Sequence, residues 1–213
     1  MSKPLLLGHR GARASRQIPE NTLESFELCM EHGCDGFEFD VRRSGDGVAV
    51  ICHDPAIRDL QIDSTPAEQL ALPTLEDVLQ RFSTRAFLDI ELKVEGLESE
   101  LIAALGAYPP RKGFVVSSFL PIVLSAATTV DSSIPLGFLF DRRDQLQPAG
   151  FSVAWMIPHF TLVSRALVEE AHASGKKIMT WTVHRADEMH KFAEWGIDAI
   201  ISDDTQLLVR TLR

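Results

Sequence analysis

The residues most able to do chemistry come in spaced pairs. Glu38 and Asp40 are one residue apart in GFEFDV (36–41), and Glu91 and Lys93 are one residue apart in LDIELK (88–93). His9 and Arg10 follow the apolar residues 5–7, and His53 closes the strand-like run 48–53. Side chains on an extended strand alternate between faces with a period of two. Glu38 and Asp40 therefore share a face, as do Glu91 and Lys93, while Phe37, Phe39, Ile90 and Leu92 occupy the other. Inward carboxylates are costly unless paired or metal-bound. Three of them on two neighbouring strands suit one hard divalent cation, Mg²⁺ or Ca²⁺, which prefers oxygen ligands. Glu38 sits about 6.6 Å deeper along the strand than the shorter Asp40, so both can reach one ion. The alternative for the same acids is an ion-pair network with Arg10, Arg42 and Lys93. Two histidines beside such a cluster can act as a general acid/base pair near neutral pH. Arg10, as a fork, and Lys93, as a point charge, can hold a phosphate.

These residues need a scaffold that brings distant strand ends together. Apolar, β-branched-rich runs at 5–9, 36–41, 86–93, 113–119, 134–140, 152–159, 177–183 and 199–202 read as strands. Between them, helical patterns cover 22–32, 75–82, 97–107, 121–129, 164–174, 186–195 and 205–212. Eight βα units in an unbroken run predict an α/β fold, a compact (β/α)₈ TIM barrel spanning 1–213 as a single domain. The acids and histidines then lie at the C-terminal strand ends, the active face of such barrels. Segment 144–150 is long enough for a helical turn only. The turn cluster Ser44-Gly45-Asp46-Gly47 folds strand two back as a hairpin arm. This returns His53 roughly opposite Glu38 and puts Ala49, Ile51 and His53 on one face. Residues 54–73 are polar and irregular, with a weak helical pattern near 66–70, and read as an insertion on the barrel.

Composition narrows the partners. The 213 residues carry 21 Lys+Arg against 30 Asp+Glu, a formal charge of −9. That balance excludes a general nucleic-acid binder and disfavours anionic membrane surfaces. No apolar run approaches the roughly 20 residues of a membrane span. The opening MSKPLLLGHRGAR has only 5–7 as an apolar stretch, which predicts no secretory signal. Three cysteines without CxxC spacing, Cys29, Cys34 and Cys52, fit buried thiols in a reducing cytoplasm.

In order along the chain stand HRG (9–11), PENT (19–22), GFEFDV (36–41), DG (46–47), HD (53–54), PTLEDVL (73–79), IELK (90–93), SSF (117–119), WTV (181–183) and GIDAIISD (196–203). This series resembles the glycerophosphodiester phosphodiesterases over nearly the whole chain. The resemblance implies a (β/α)₈ barrel that hydrolyses glycerophosphodiesters to glycerol 3-phosphate and an alcohol. By position it implies His9 and His53 as the acid/base pair, Glu38, Asp40 and Glu91 as metal ligands, and Arg10 and Lys93 as phosphate-binding residues. Residues 54–73 match a small cap. Phe119 and Trp181 are candidates for a wall against the substrate, or else plain core aromatics. His159 and His184 read as rim or structural residues. The segment between Gly11 and Pro19 is longer than is usual in that family and carries Arg13 and Arg16. His184 replaces a frequent Asn, and Thr205 a frequent Pro.

Two other readings fit less of the pattern. A Schiff-base lyase on Lys93, in the manner of an aldolase barrel, leaves the histidines and the three acids without a joint role. A non-catalytic phosphate-binding barrel would be marked by a lost site residue, and none is lost.

Overall fold

A computed structural model describes residues 3–145 and 152–213. Eight parallel strands close on themselves: β1 (Leu5–His9), β2 (Gly36–Arg43), β6 (Phe87–Leu92), β7 (Phe114–Ser118), β8 (Leu136–Phe140), β9 (Trp155–Pro158), β10 (Lys177–Thr180) and β11 (Ala199–Ser202). The ring closes where β1 pairs with both β11 and β2. Helices α1 (Leu23–Glu31), α3 (Leu75–Phe82), α4 (Glu98–Ala107), α5 (Pro121–Val130), α6 (Arg165–Ala173), α7 (Ala186–Trp195) and α8 (Thr205–Leu212) alternate with them. The expected TIM barrel is thus present. Strand two does return as an antiparallel arm, β3 (Ala49–Ile51). Residues 54–73 fold into a two-stranded ribbon, β4 (Ala56–Ile57) with β5 (Leu60–Gln61), a 3₁₀ turn, and the short helix α2 (Ala67–Leu70). The turn foreseen within 144–150 begins earlier, as a 3₁₀ turn over Arg143–Gln145, and residues 146–150 lie outside the described residues.

Alternation along the strands builds two apolar layers. Inward residues such as Leu7, Phe87, Val115, Leu139, Ile157 and Ile201 fill the barrel. Outward residues such as Leu6, Phe37, Phe39 and Ile90 pack beneath the helices. In that outer layer, Phe26 of α1 stacks on Phe37 at 4.2 Å, and Phe82 of α3 meets Phe37 edge-on at 5.0 Å. Helix starts are set locally. Thr22 caps α1 by accepting from Ser25 N, and Thr74 with Asp77 forms a reciprocal capping box on α3. A third cluster, Val50, Cys52, Ile62 and Leu70, fastens 54–73 to the arm. No helix among the described residues is long and apolar enough to cross a membrane.

One close contact fixes the register that matters most. Gly36 faces Phe87 across β2 and β6, and a Cβ at Gly36 would lie 1.8 Å from the Phe87 carbonyl oxygen. The same register sets Glu38 beside Asp89 and Asp40 beside Glu91. A two-residue period then turns all four inward. Gly106, near the end of α4, has open space where its Cβ would be.

These two glycines predict opposite outcomes in urea unfolding. Gly36→Ala meets backbone, not a movable side chain, and should cost about 4 kcal/mol or more, or prevent folding. Gly106→Ala should leave the protein as stable or up to about 1 kcal/mol more stable. Equal midpoints for the two variants would show that the β2–β6 contact is softer than described.

Candidate active site

A cavity of about 170 Å³ opens at the C-terminal end of the barrel, lined by His9, Arg10, Glu38, His53, Glu91, Lys93, Phe119, Leu139, Trp181 and Ile201. Eight of the nine candidate residues line it, and the ninth, Asp40, lies beside it at 1% exposure. Glu38, Asp40 and Glu91 offer oxygens that lie within 4.8 Å of one another, and all three are buried. Glu38 Oε1 and Asp40 Oδ1 accept no hydrogen bond although buried. Asp40 Oδ1 lies 3.3 Å from the Lys93 ammonium. Such orphaned carboxylate oxygens, converging in an all-oxygen set, fit a hard divalent cation.

The positive groups are already drawn to these acids. Lys93, one residue beyond β6, donates to Glu91 Oε1 at 2.6 Å. Arg10 Nη1 donates to Glu20 at 2.7 Å, and its Nε lies 3.1 Å from Asp40 Oδ2, an ion pair without hydrogen-bond alignment. Arg42 does not join them. Its Nε donates to the His53 carbonyl at 2.8 Å. Burial, then Asp40 and Glu91, raises the Glu38 carboxyl well above the usual carboxylate range. Burial and Asp40 likewise push Glu91 up to about 7, against the pull of Lys93. Burial would raise Asp40 too, but Lys93, Arg10 and Asn21 outweigh it and hold it below its ordinary value.

The HRG turn aims its groups by backbone strain. Arg10 has φ 53° and Gly11 φ 82°, left-handed values that cost a non-glycine residue energy. They turn the Arg10 N–H onto Glu38 Oε2 at 3.0 Å. At Gly11 any Cβ would also lie 2.5 Å from Ser25 Oγ. Asn21, at φ 57°, donates from Nδ2 to Asp40 Oδ2 at 2.9 Å.

The two histidines are mounted differently. His9 ends β1 with its ring inside the barrel. Its Nδ1 is 2.6 Å from Asp203 Oδ1 and its Nε2 is 3.9 Å from Glu38 Oε2. Burial lowers its pKa, although Asp203 pulls the other way. His53 is more exposed, with Nδ1 2.8 Å from Asp54 Oδ1. The expected pairing of the arm is off by one residue. Val41 faces Ile51, and Cys52 N donates to the Asp40 carbonyl. Continued, that register would set His53 across from Phe39, not Glu38. The expected shared face holds for Ala49 and Ile51, both in the outer layer, but not for His53. Ile51 packs in the outer layer with Val41, and the strand stops there, so the bend beyond it turns His53 to the cavity.

Phe119 and Trp181 meet edge-on at 5.4 Å and form the apolar wall, with Leu139 and Ile201 below. Trp181 Nε1 donates to the Ile157 carbonyl, which fixes its ring. His159 stands against Trp181 at 5.1 Å with Nδ1 on Thr161, and the exposed His184 is 3.9 Å from Asp203. None of residues 54–73 lines the cavity. Four polar residues at the site escaped the sequence reading: Glu20, Asn21, Asp89 and Asp203. Glu20 and Asn21 lie in PENT, and Asp203 ends GIDAIISD. Strand parity alone puts Asp89 on the inner face with Glu91. It is fully buried, accepts from Ser117 Oγ at 2.6 Å, and burial pushes it up to about 7.

The family model described as the glycerophosphoryl diester phosphodiesterase family matches residues 9–79 and 61–207. The chain belongs to this family. Membership makes it a phosphodiesterase, a hydrolase of phosphoric diesters. A glycerophosphodiester phosphodiesterase of Caldanaerobacter subterraneus is 28% identical, over 99% of this chain and 98% of its own length. Among solved structures, an Oleispira antarctica phosphodiesterase in complex with the product sn-glycerol-3-phosphate is 28% identical with a TM-score of 0.83, covering 98% of this chain and 96% of that one. The Thermotoga maritima glycerophosphodiester phosphodiesterase is 25% identical with a TM-score of 0.81, covering 99% of each chain.

A carboxylate only accepts hydrogen bonds, so the neutral His9 ring should carry its proton on Nδ1. Long-range ¹H–¹⁵N spectra above neutral pH should show that tautomer. Asp203→Asn should convert His9 to a mixture. A dominant Nε2–H form in the wild type would overturn the assignment.

Proposed function

We propose that the enzyme hydrolyses glycerophosphodiesters to glycerol 3-phosphate and an alcohol, using one divalent cation and the His9–His53 pair. The observation that carries this reading is one cavity lined by both histidines, Glu38, Glu91, Arg10 and Lys93, with Asp40 beside it. The product named for the Oleispira relative, sn-glycerol-3-phosphate, supports the same substrate class.

Glu38, Asp40 and Glu91 would hold the cation, Mg²⁺ or Ca²⁺. When bound, such an ion neutralises charge on a phosphoryl oxygen. Arg10 and Lys93 border the same space and hold the phosphate with fixed positive charge. His9 and His53 move the protons. One takes a proton from the attacking hydroxyl, of water or of the glycerol itself, and the other gives one to the departing alkoxide. Asp203 keeps the Nδ1–H of His9 engaged and leaves its Nε2 for that transfer. Phe119 and Trp181 provide the wall against the carbon skeleton of the substrate, and residues 54–73 form a small cap outside the cavity. The wall, not the cap, then governs what fits.

Lys93 is poorly suited to Schiff-base chemistry, which needs a neutral amine. Its ammonium is paired with Glu91 and Asp40, and these acids raise its pKa despite burial. We place the enzyme in a reducing cytoplasm, a reading supported by three free, buried cysteines.

A coupled glycerol 3-phosphate assay tests this function. Product should form from glycerophosphocholine or glycerophosphoethanolamine, stop on chelation, and return with Mg²⁺ or Ca²⁺. His9→Ala and His53→Ala should each lower kcat at least ~10²-fold. Glu91→Gln should weaken the metal-induced rise in melting temperature, because an amide is a poorer ligand for a hard cation. Full turnover by enzyme shown to be metal-free by elemental analysis would refute the cation's role. Full turnover in either histidine variant would remove that residue from the chemistry.

A further inference from the structure

The two acids that hold His9 and Arg10 are themselves tied together. Asp203 accepts at Oδ1 from His9 and at Oδ2 from Arg13 Nη1, 3.3 Å away. Glu20 accepts at Oε1 from Arg10 and at Oε2 from Arg13 Nε. Among the described residues, Arg13 is the only hydrogen-bond donor to Asp203 Oδ2 and to Glu20 Oε2. Contacts then run without a break from His9 through Asp203, Arg13, Glu20 and Arg10 to Glu38, which faces His9 again at 3.9 Å. From Asp203 through Arg13 and Glu20 to Arg10 the signs alternate, so Arg13 and Glu20 are each flanked by opposite charge. The link from Arg10 to Glu38 is made by the Arg10 backbone N–H.

An exposed ion pair contributes little as a rule, because two long side chains must be ordered in water. Arg13 differs in its mounting. Ala12 N donates to Ser25 O and Oγ, and Ala14 N donates to the Asp203 carbonyl at 3.0 Å. The backbone is therefore pinned on both sides of the residue, once to α1 and once to the segment carrying Asp203. The backbone part of the ordering cost is met before the guanidinium pairs, and the side-chain rotamers remain to be fixed. Its planar fork can serve two carboxylates at once, which an ammonium does less well. The side chain is 38% exposed, at the rim and outside the cavity lining.

We infer that Arg13 is a positioning residue: by binding Asp203 and Glu20 together, it keeps them oriented to hold His9 and Arg10 for the reaction. This rests on the roles proposed above for those two residues. Without Arg13, Asp203 Oδ2 loses its hydrogen-bond donor and is left with His184 at 3.9 Å, so the carboxylate can rotate and His9 loses the fixed orientation of its acceptor. Glu20 is freed in the same way, and Arg10 with it.

Kinetics of Arg13 variants test this. Arg13→Gln should lower kcat about tenfold, the scale of losing an outer hydrogen-bonded partner, with an unchanged melting temperature. Arg13→Lys should recover part of the loss, and added guanidinium ion should partly restore Arg13→Ala. In an Asp203→Asn background, Arg13→Gln should cost clearly less than the roughly tenfold it costs in the wild type, because the path through Asp203 to His9 is already broken and the path through Glu20 to Arg10 remains. Full activity of Arg13→Gln would overturn the inference. So would an undiminished further loss in the Asp203→Asn background, or a lowered melting temperature without guanidinium rescue, which would mark a merely structural role. A His9→Ala enzyme with normal turnover would instead sink the proposed role of His9. An inactive His9→Ala beside an unaffected Arg13→Gln would sink the Arg13 inference alone.

Discussion

The mutual repulsion of buried carboxylates governs this site. Glu38, Asp40, Asp89 and Glu91 come from two adjacent strands, and each is below one-tenth exposed. Ionised together without compensation, they would oppose folding. What surrounds them answers that repulsion. Arg10 and Lys93 bring charge, Asn21 and Ser117 bring donors, and the Arg10 backbone is bent into a left-handed conformation to present its N–H. Even so, two carboxylate oxygens of the triad stay unpartnered by hydrogen bonds. The barrel does not relieve the repulsion. It contains it, because the β2–β6 register is set by a backbone contact at Gly36 that leaves no room for slippage.

The barrel was legible because its strands obey a simple alternation. GFEFDV and LDIELK show phenylalanine, isoleucine and leucine on one parity and acids on the other, and both proved to be strands with those faces. Strand ends were less legible. Residues 177–183 read as one run, yet pairing as a regular strand stops at Thr180, and Trp181 instead bridges to His159. Side-chain pattern reports a face, whereas the end of a ladder depends on where the neighbouring strand runs out.

The same distinction divides the site. Residues borne on strands, such as Glu38, Asp40 and Glu91, could be placed by counting. His53 could not, since the two-residue count ends with the strand at Ile51 and a bend sets the ring. Glu20 and Asp203 were opaque for another reason. Asp203 is 194 residues from the histidine it orients, and Glu20 meets Arg10 only because two irregular turns converge. Neither partnership leaves a periodic trace. Strand parity did put Asp89 on the inner face, but by parity alone it is one acid among several.

The two histidines stand on supports with different histories open to them. His9 is part of the closed ring, between two parallel neighbours, with its acceptor at the end of the last strand. His53 hangs from an arm that pairs with the last residues of β2, bridges from Val50 to Thr74, and is backed by the small cluster under residues 54–73. Lengthening, shortening or replacing residues 54–73 would re-aim His53 while leaving the pairing among the eight strands of the ring as it is. Descendants of such a chain can therefore diversify on the arm, while the carboxylate end stays bound to its ancestral form by the closure of the ring.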